Sequence, residues 1–310
     1  TLRSSGPAFC GPLTLAVSVP GKKMTSTQEI HKQEILERIN AELNRVRNYT
    51  PKVGIFGDTG VGKSSLCNAL FGKDIAKISN VEACTRHPQE ILVGDKGKGG
   101  IVLVDVPGVG EDPARHKEYI ELYKSLVPNL DLVLWAIKSD DRKYLSAIDV
   151  YNEVLLPNIQ KCPVLFVITQ ADKIEPYREW NINENKPGPN QEKNIALKAN
   201  DISSRFNIST NKIIAISSSD GYNLVELVNR VVEVLPNEKK YSFTREAKEE
   251  NVSEEAARNA EKGVFDHIKE YAGKAWDAVK DVVVPVIVES ATKVVKHAAK
   301  VVVSWFKSWF

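Results

Sequence analysis

With 310 residues, 42% of them hydrophobic and 26% charged, the chain has an ordinary globular balance and enough length for one large domain or two smaller ones. A net charge of +2 gives no sign of a nucleic-acid partner, and no apolar run reaches the about 18 residues needed to cross a bilayer. Cys10, Cys67, Cys84 and Cys162 form no C-x-x-C pair and the five histidines are scattered, which argues against a zinc site or a disulfide framework and fits a reducing compartment.

Residues 1–24 carry Gly6, Pro7, Gly11, Pro12, Pro20 and Gly21 around a short apolar run, with Met24 the sole methionine. The run is too short for a secretory signal, so this stretch is expected to be a disordered leader outside the fold. Ile30, Ile35, Leu36, Ile39, Leu43 and Val46 then recur at helical spacing. They predict a helix over 25–50, capped by Ser26 or Thr27 and ended by Pro51. From 52 to 235, strand-like and helix-like segments alternate. Strands are expected at 53–56, 90–93, 101–105, 132–137, 164–169 and 213–217. Helices are expected at 63–71, 114–126, 144–155, 191–205 and 223–235. Most strand candidates are continuous Val, Ile and Leu runs, as in strands buried on both faces. The pattern is α/β: a three-layer domain on a mostly parallel six-stranded sheet. The polar stretch 175–190, with Pro176, Pro187, Gly188 and Pro189, reads as a surface loop. Residues 237–262 read as a charged linker helix.

Residues 57–64 read Gly57-Asp58-Thr59-Gly60-Val61-Gly62-Lys63-Ser64, followed by Ser65. The spacing fits G-x-x-x-x-G-K-[ST], and it lies between an apolar strand and a helix start. Backbone N–H groups of such a turn point at phosphates. Lys63 would reach the β- and γ-phosphates, and the Ser64 hydroxyl would ligate Mg²⁺. Four further segments follow in order. Thr85 can offer its hydroxyl to Mg²⁺ and its N–H to a γ-phosphate, being ordered only while that phosphate is present. Asp105-Val106-Pro107-Gly108 ends a strand: Asp105 can hold Mg²⁺ through water, and Gly108 lets the backbone approach the γ-phosphate. Thr169-Gln170-Ala171-Asp172 ends another strand, and Asp172 can accept from both N1–H and the exocyclic amine of guanine. The backbone N–H groups of Ser217 and Ser218 could take the guanine carbonyl.

This ordered set resembles the Era-like branch of the translation-factor-class GTPases. Residues 62–88, with the run from Ser64 to Gly72, are similar to the YfjP-type bacterial proteins. The resemblance covers about residues 25–237. It implies a P-loop GTPase (G) domain over 51–237 that binds GTP and GDP with Mg²⁺ and hydrolyses GTP. Lys63, Thr85 and Gly108 would be its catalytic groups, and Ser64, Thr85 and Asp105 its metal site. The 25–50 helix and a helical, amphipathic extension over 238–310 would flank it. Thr169 stands where Asn is commonest and Gln170 where Lys is commonest, which implies modest guanine affinity. Gly60 stands where potassium-activated relatives carry Asn. Val109 replaces the glutamine that orients water in Ras-like enzymes, so unassisted turnover should be slow. A protein partner, self-association or a nearby Glu111, Asp112 or Arg115 would complete the site. A scaffold with negligible hydrolysis, and a P-loop ATPase or nucleotide kinase, remain as alternatives. Ribosome or RNA contact is implied by the family alone, and 238–310 hold no G-X-X-G clamp.

In the tail, Val264, Ile268, Tyr271, Ala275, Val279 and Val282 form a stripe that Pro285 is expected to break. Ala291, Val294, Val295, Ala298, Val302 and Phe306 resume it among lysines, ending at Trp309 and Phe310. The stripe suits either a membrane interface or a protein surface. The expectation is a cytoplasmic protein whose tail leaves peripheral membrane contact open.

Overall fold

Apolar runs that face neighbours on both sides set the order of the layers. The computed structural model describes residues 26–72, 89–94, 100–106 and 116–291, with Asp105 placed by its backbone alone. The elements are α1 (Ser26–Arg47), β1 (Lys52–Phe56), α2 (Lys63–Phe71), β2 (Gln89–Val93), β3 (Ile101–Asp105), α3 (His116–Leu126) and β4 (Leu132–Lys138). There follow α4 (Leu145–Val150), which runs on as a π-helical turn over Tyr151–Leu155, then β5 (Val164–Thr169), α5 (Pro189–Phe206), β6 (Ile213–Ala215) and α6 (Leu224–Val234). Beyond them lie α7 (Asn237–Glu246), α8 (Glu254–Ala272) and α9 (Trp276–Ala291).

The six strands form one sheet in the order β2-β3-β1-β4-β5-β6, and every neighbouring pair is parallel except β2 with β3. Alternate residues of one strand enter opposite cores. In β5, Val164, Phe166 and Ile168 join Trp135, Tyr151 and Phe206 under α3, α4 and α5. Leu165 and Val167 join Leu66, Leu70, Val228 and Phe243 under α2, α6 and α7. The β6 strand stops at Ala215, shorter than the expected 213–217, because Ser217 turns to pair with Tyr222.

A third core lies outside the sheet. Leu36, Ile39, Leu43 and Val46 of α1 pack with Val264 and Ile268 of α8 and with Val279, Val283 and Ile287 of α9. The stretch 237–262 is therefore no linker. Its first helix, α7, ties the layers together. Ser242 Oγ donates to Val46 O at 3.1 Å, and Arg245 donates to the carbonyls of Arg47 and Tyr49, so the end of α1 is capped. On its other side Phe243 meets Phe71 of α2 edge-on at 5.6 Å, and just past α7 Lys248 N donates to Leu70 O at 2.8 Å.

Pro285 does not break the tail helix; it lies inside α9. The missing N–H forfeits one bond, but Val283, Val284 and Ile287 are buried around it and hold the helix against α1 and α8. Pro285 itself is exposed. Pro285→Ala should therefore raise the urea midpoint, by about 1 kcal/mol or more of stability. The resumed stripe from Val294 to Phe310, the leader, the Ser26/Thr27 cap and the membrane question that rests on the tail fall outside the described side chains. Among the described residues no helix is long and apolar enough to cross a membrane.

Candidate functional site

The C-terminal ends of the parallel strands β1, β4, β5 and β6 lie along one edge of the sheet, where open α/β sheets bind ligands. The turn after β1 needs glycine. Gly57, Gly60 and Gly62 have φ of 133°, 79° and 95°. A Cβ on Gly57 would also lie 2.3 Å from Ala136 O, so the backbones of β1 and β4 exclude any side chain there. Gly62 is the N-cap of α2, so the helix starts at Lys63. The Lys63 ammonium folds back over the turn and donates to Gly57 O at 2.9 Å and Asp58 O at 3.2 Å. The turn thus holds a positive charge inside a ring of backbone at a helix N-terminus, with Ser64 and Ser65 on the first turn of α2.

The end of β5 approaches this turn from the side. Thr169 is buried, and its hydroxyl donates to Val61 O at 2.6 Å. The residue that departs from the commonest Asn makes a direct bond to the phosphate turn. Gln170 takes a left-handed φ of 56°, and its carbonyl accepts from Ser139 Oγ at 3.0 Å. Its amide nitrogen would lie 3.9 Å from a Cβ on Gly62, beside the turn. Two residues on, Asp172 is half-buried at the wall of a cavity of about 570 Å³. Ala171 N donates to Ile216 O at 3.0 Å, which joins the Asp172 segment to the end of β6. Ser217 is fully buried there, with its Oγ 3.0 Å from Ser219 Oγ, and Ser218 is half-buried beside it.

One supporting residue carried no signal in the sequence. Gln191 has no exposed surface; its Nε2 donates to Ile174 O at 2.9 Å and its Oε1 accepts Gly188 N–H at 3.2 Å. It fixes the chain on both sides of the 175–190 stretch, and α5 begins at Pro189, two residues before the expected start. A glutamine opening a helix looks like a surface residue until its partners are seen.

The structure thus brings together Gly57, Asp58, Thr59, Gly60, Val61, Gly62, Lys63, Ser64 and Ser65 on one side, and Thr169, Gln170, Asp172, Ser217 and Ser218 on the other. Asp105 ends β3 next to β1, its backbone in register with Ile55. Thr85, Gly108, Val109, Glu111, Asp112 and Arg115 lie outside the described residues.

Residues 52–170 match the family model described as 50S ribosome-binding GTPase. Over 208 residues the chain is 41% identical to the uncharacterized protein YkfA of Escherichia coli, which covers 66% of this chain and 69% of YkfA. The chain belongs to the Era-like P-loop GTPases. Within that family it is also 38% identical to YfjP of Escherichia coli, over 66% of this chain and 69% of YfjP. GTPase Era of Clostridium botulinum is 30% identical over 61% of this chain and 57% of Era, so this Era-like chain spans little more than half of the Era length. A variant of Aquifex aeolicus Era crystallised with GDP and AlF₄⁻ overlaps 60% of this chain and 57% of its own, at 26% identity and a TM-score of 0.45.

Proposed function

We propose that the chain binds GTP and GDP with Mg²⁺ and acts as a GTP-hydrolysing switch of slow intrinsic turnover. The observation that carries this is the Thr169 hydroxyl on Val61 O: it seats the base-reading segment and the phosphate turn on one another at 2.6 Å. Lys63 would exchange its two loop carbonyls for phosphate oxygens, and the N–H groups from Gly60 to Ser65 would surround the β-phosphate. Ser64 would offer its hydroxyl to Mg²⁺, with Thr85 and Asp105 as its other groups. One serine, one threonine and one carboxylate suit a cation that keeps its waters and phosphate oxygens as remaining ligands. The bound cation would neutralise charge on the phosphates.

Asp172 would accept from guanine N1–H and the 2-amino group; the Ser217 N–H expected at the carbonyl edge is instead given to Tyr222 O at 3.2 Å, which leaves the Ser218 N–H to take the guanine carbonyl. Hydrolysis would follow in-line attack of water on the γ-phosphorus, with charge stabilised by Lys63 and the turn. Val109 cannot hold that water, so a partner protein or a second copy of the chain would supply the group. The same valine supports the second reading, a scaffold that binds GTP and does not turn it over. Calorimetry with Mg²⁺ should give GDP and GTP affinities in the micromolar range and adenine nucleotides weaker by about 100-fold or more. No heat with either guanine nucleotide at millimolar concentration would end both readings. Phosphate release, alone and at high protein concentration, separates the switch from the scaffold.

A further inference from the structure

The stretch between Asp172 and α5 has a fixed shape. Tyr177–Glu179 forms one 3-10 turn, and Asn181 and Lys186 exchange backbone hydrogen bonds of 2.8 and 3.2 Å. The Asn181 side chain closes the tip by accepting from the N–H groups of Asn183 and Glu184 at 3.1 and 3.2 Å. Glu179 anchors the stretch to α5 by accepting from the Asn190 backbone at 2.9 Å and side chain at 2.7 Å. Gly188 admits no side chain, because a Cβ there would lie 2.6 Å from Glu179 Cβ.

Both base-reading segments hold this insert. On one side Gln191 binds Ile174 O, next to the Asp172 turn. On the other the Trp180 ring meets Tyr222 edge-on at 5.5 Å, and Tyr222 O accepts Ser217 N–H at 3.2 Å. The cavity of about 570 Å³ opens between them. Asp172 and Asp220 line it from the strand ends, and Tyr177, Arg178, Trp180 and Ile182 line it from the insert. Its size is that of a small-molecule pocket. The insert also keeps large apolar side chains in water at this mouth: Ile182 is 82% exposed and Tyr177 is 53% exposed. Apolar groups presented by a rigid, doubly anchored segment beside a carboxylate mark a contact surface rather than a packing one.

We propose that the insert is a wall of the purine pocket, with Trp180 and Ile182 packing against the base whose edge Asp172 reads. The proposal rests on the guanine reading above and assigns new residues to it. It answers a deficit at Gln170, whose short polar stem covers little of a base face. Aromatic and aliphatic walls give base affinity without choosing among purines. Asp172 therefore keeps the choice and the insert adds the grip.

The full chain is tested by calorimetry with GDP and with IDP, which lacks the 2-amino group. Trp180→Ala should weaken both about ten-fold or more and in parallel, Ile182→Ala should weaken both by less, and Trp180→Phe should hold within about three-fold of wild type. Unchanged affinity in the two alanine variants overturns the wall. So does a collapsed GDP-to-IDP ratio, since Trp180 would then act only by placing Asp172. Should Trp180→Ala not fold, emission decides: GDP should perturb tryptophan fluorescence in wild type and not in Trp180→Phe, and an equal change in both overturns the proposal. Wild type that binds no GDP defeats the guanine reading; wild type that binds while the variants match it defeats the wall alone.

Discussion

Asp172→Asn should lower GTP affinity by about 100-fold or more while creating affinity for xanthosine triphosphate. The carboxylate is acceptor-only, and in the proposed site it would meet two donors on guanine, N1–H and the 2-amino group. An asparagine amide of the same shape presents one acceptor and one donor. The donor would then face the guanine amine, and two N–H groups would be left facing one another without acceptors. Xanthine carries oxygen at that position, so the same amide pairs with it fully. The change should be confined to the base. Asp172 is half-buried at the cavity wall, and its neighbours are fixed by other groups: Lys173 N donates to Gln170 O, Ala171 N to Ile216 O, and Gln191 binds Ile174 O. Thermal melting without nucleotide should therefore shift little. Calorimetry with GTP and XTP on both proteins is the measurement. If GTP binds the variant as it binds wild type, Asp172 does not read the base.

The sequence revealed the parts of this site that are local and hid those that are distant pairings. The glycines at 57, 60 and 62 are legible because a phosphate turn demands left-handed backbone at fixed spacing, and the structure has it at all three. The strands are legible because two-sided burial leaves continuous Val, Ile and Leu runs. The expected six-stranded, mostly parallel sheet is what the chain forms, with β2 antiparallel on β3. Hydrophobic period does not say which strand pairs with which, nor that α1 and α9 share a core across more than two hundred residues. The α1 and α8 stripes were each visible alone; their mutual burial was not. Pro285 misled for a related reason. Local chemistry ends a helix there, and packing of Val283, Val284 and Ile287 overrides it. The 175–190 stretch reads as surface because it is polar. Most of it is indeed exposed, and what the sequence does not show is that Glu179–Asn190 and Gln191 bonds give it a fixed shape.

The largest stability effect should come from the α1–α8 contact, far from the nucleotide. Arg47, on α1, has 7% of its surface exposed and Glu261, on α8, has 2%; their Nη2 and Oε2 atoms are 3.1 Å apart. The guanidinium also lies over the Tyr241 ring at 4.6 Å and donates to Ile287 O at 3.3 Å, so one side chain joins α1, α7, α8 and α9. Burial pushes the Glu261 carboxyl above its ordinary 4.5, and the Arg47 charge opposes that rise. Arg47→Met keeps the apolar stem and deletes the charge. It leaves an uncompensated carboxylate inside the third core, and should cost about 3–5 kcal/mol in urea unfolding. The cost should depend on pH in a defined direction. A carboxyl whose folded pKa lies above its unfolded value supports folding at low pH and loses that support as pH rises through the folded pKa. Without Arg47 the folded pKa climbs further, so the deficit should widen from about pH 5 to about pH 8. The double replacement Arg47→Met with Glu261→Leu removes both charges and should recover most or all of the loss. A deficit that is equal at both pH values, or a double variant no better than the single, would mean that the guanidinium's contacts with the Tyr241 ring and Ile287 O, rather than its pairing with Glu261, hold the helices together.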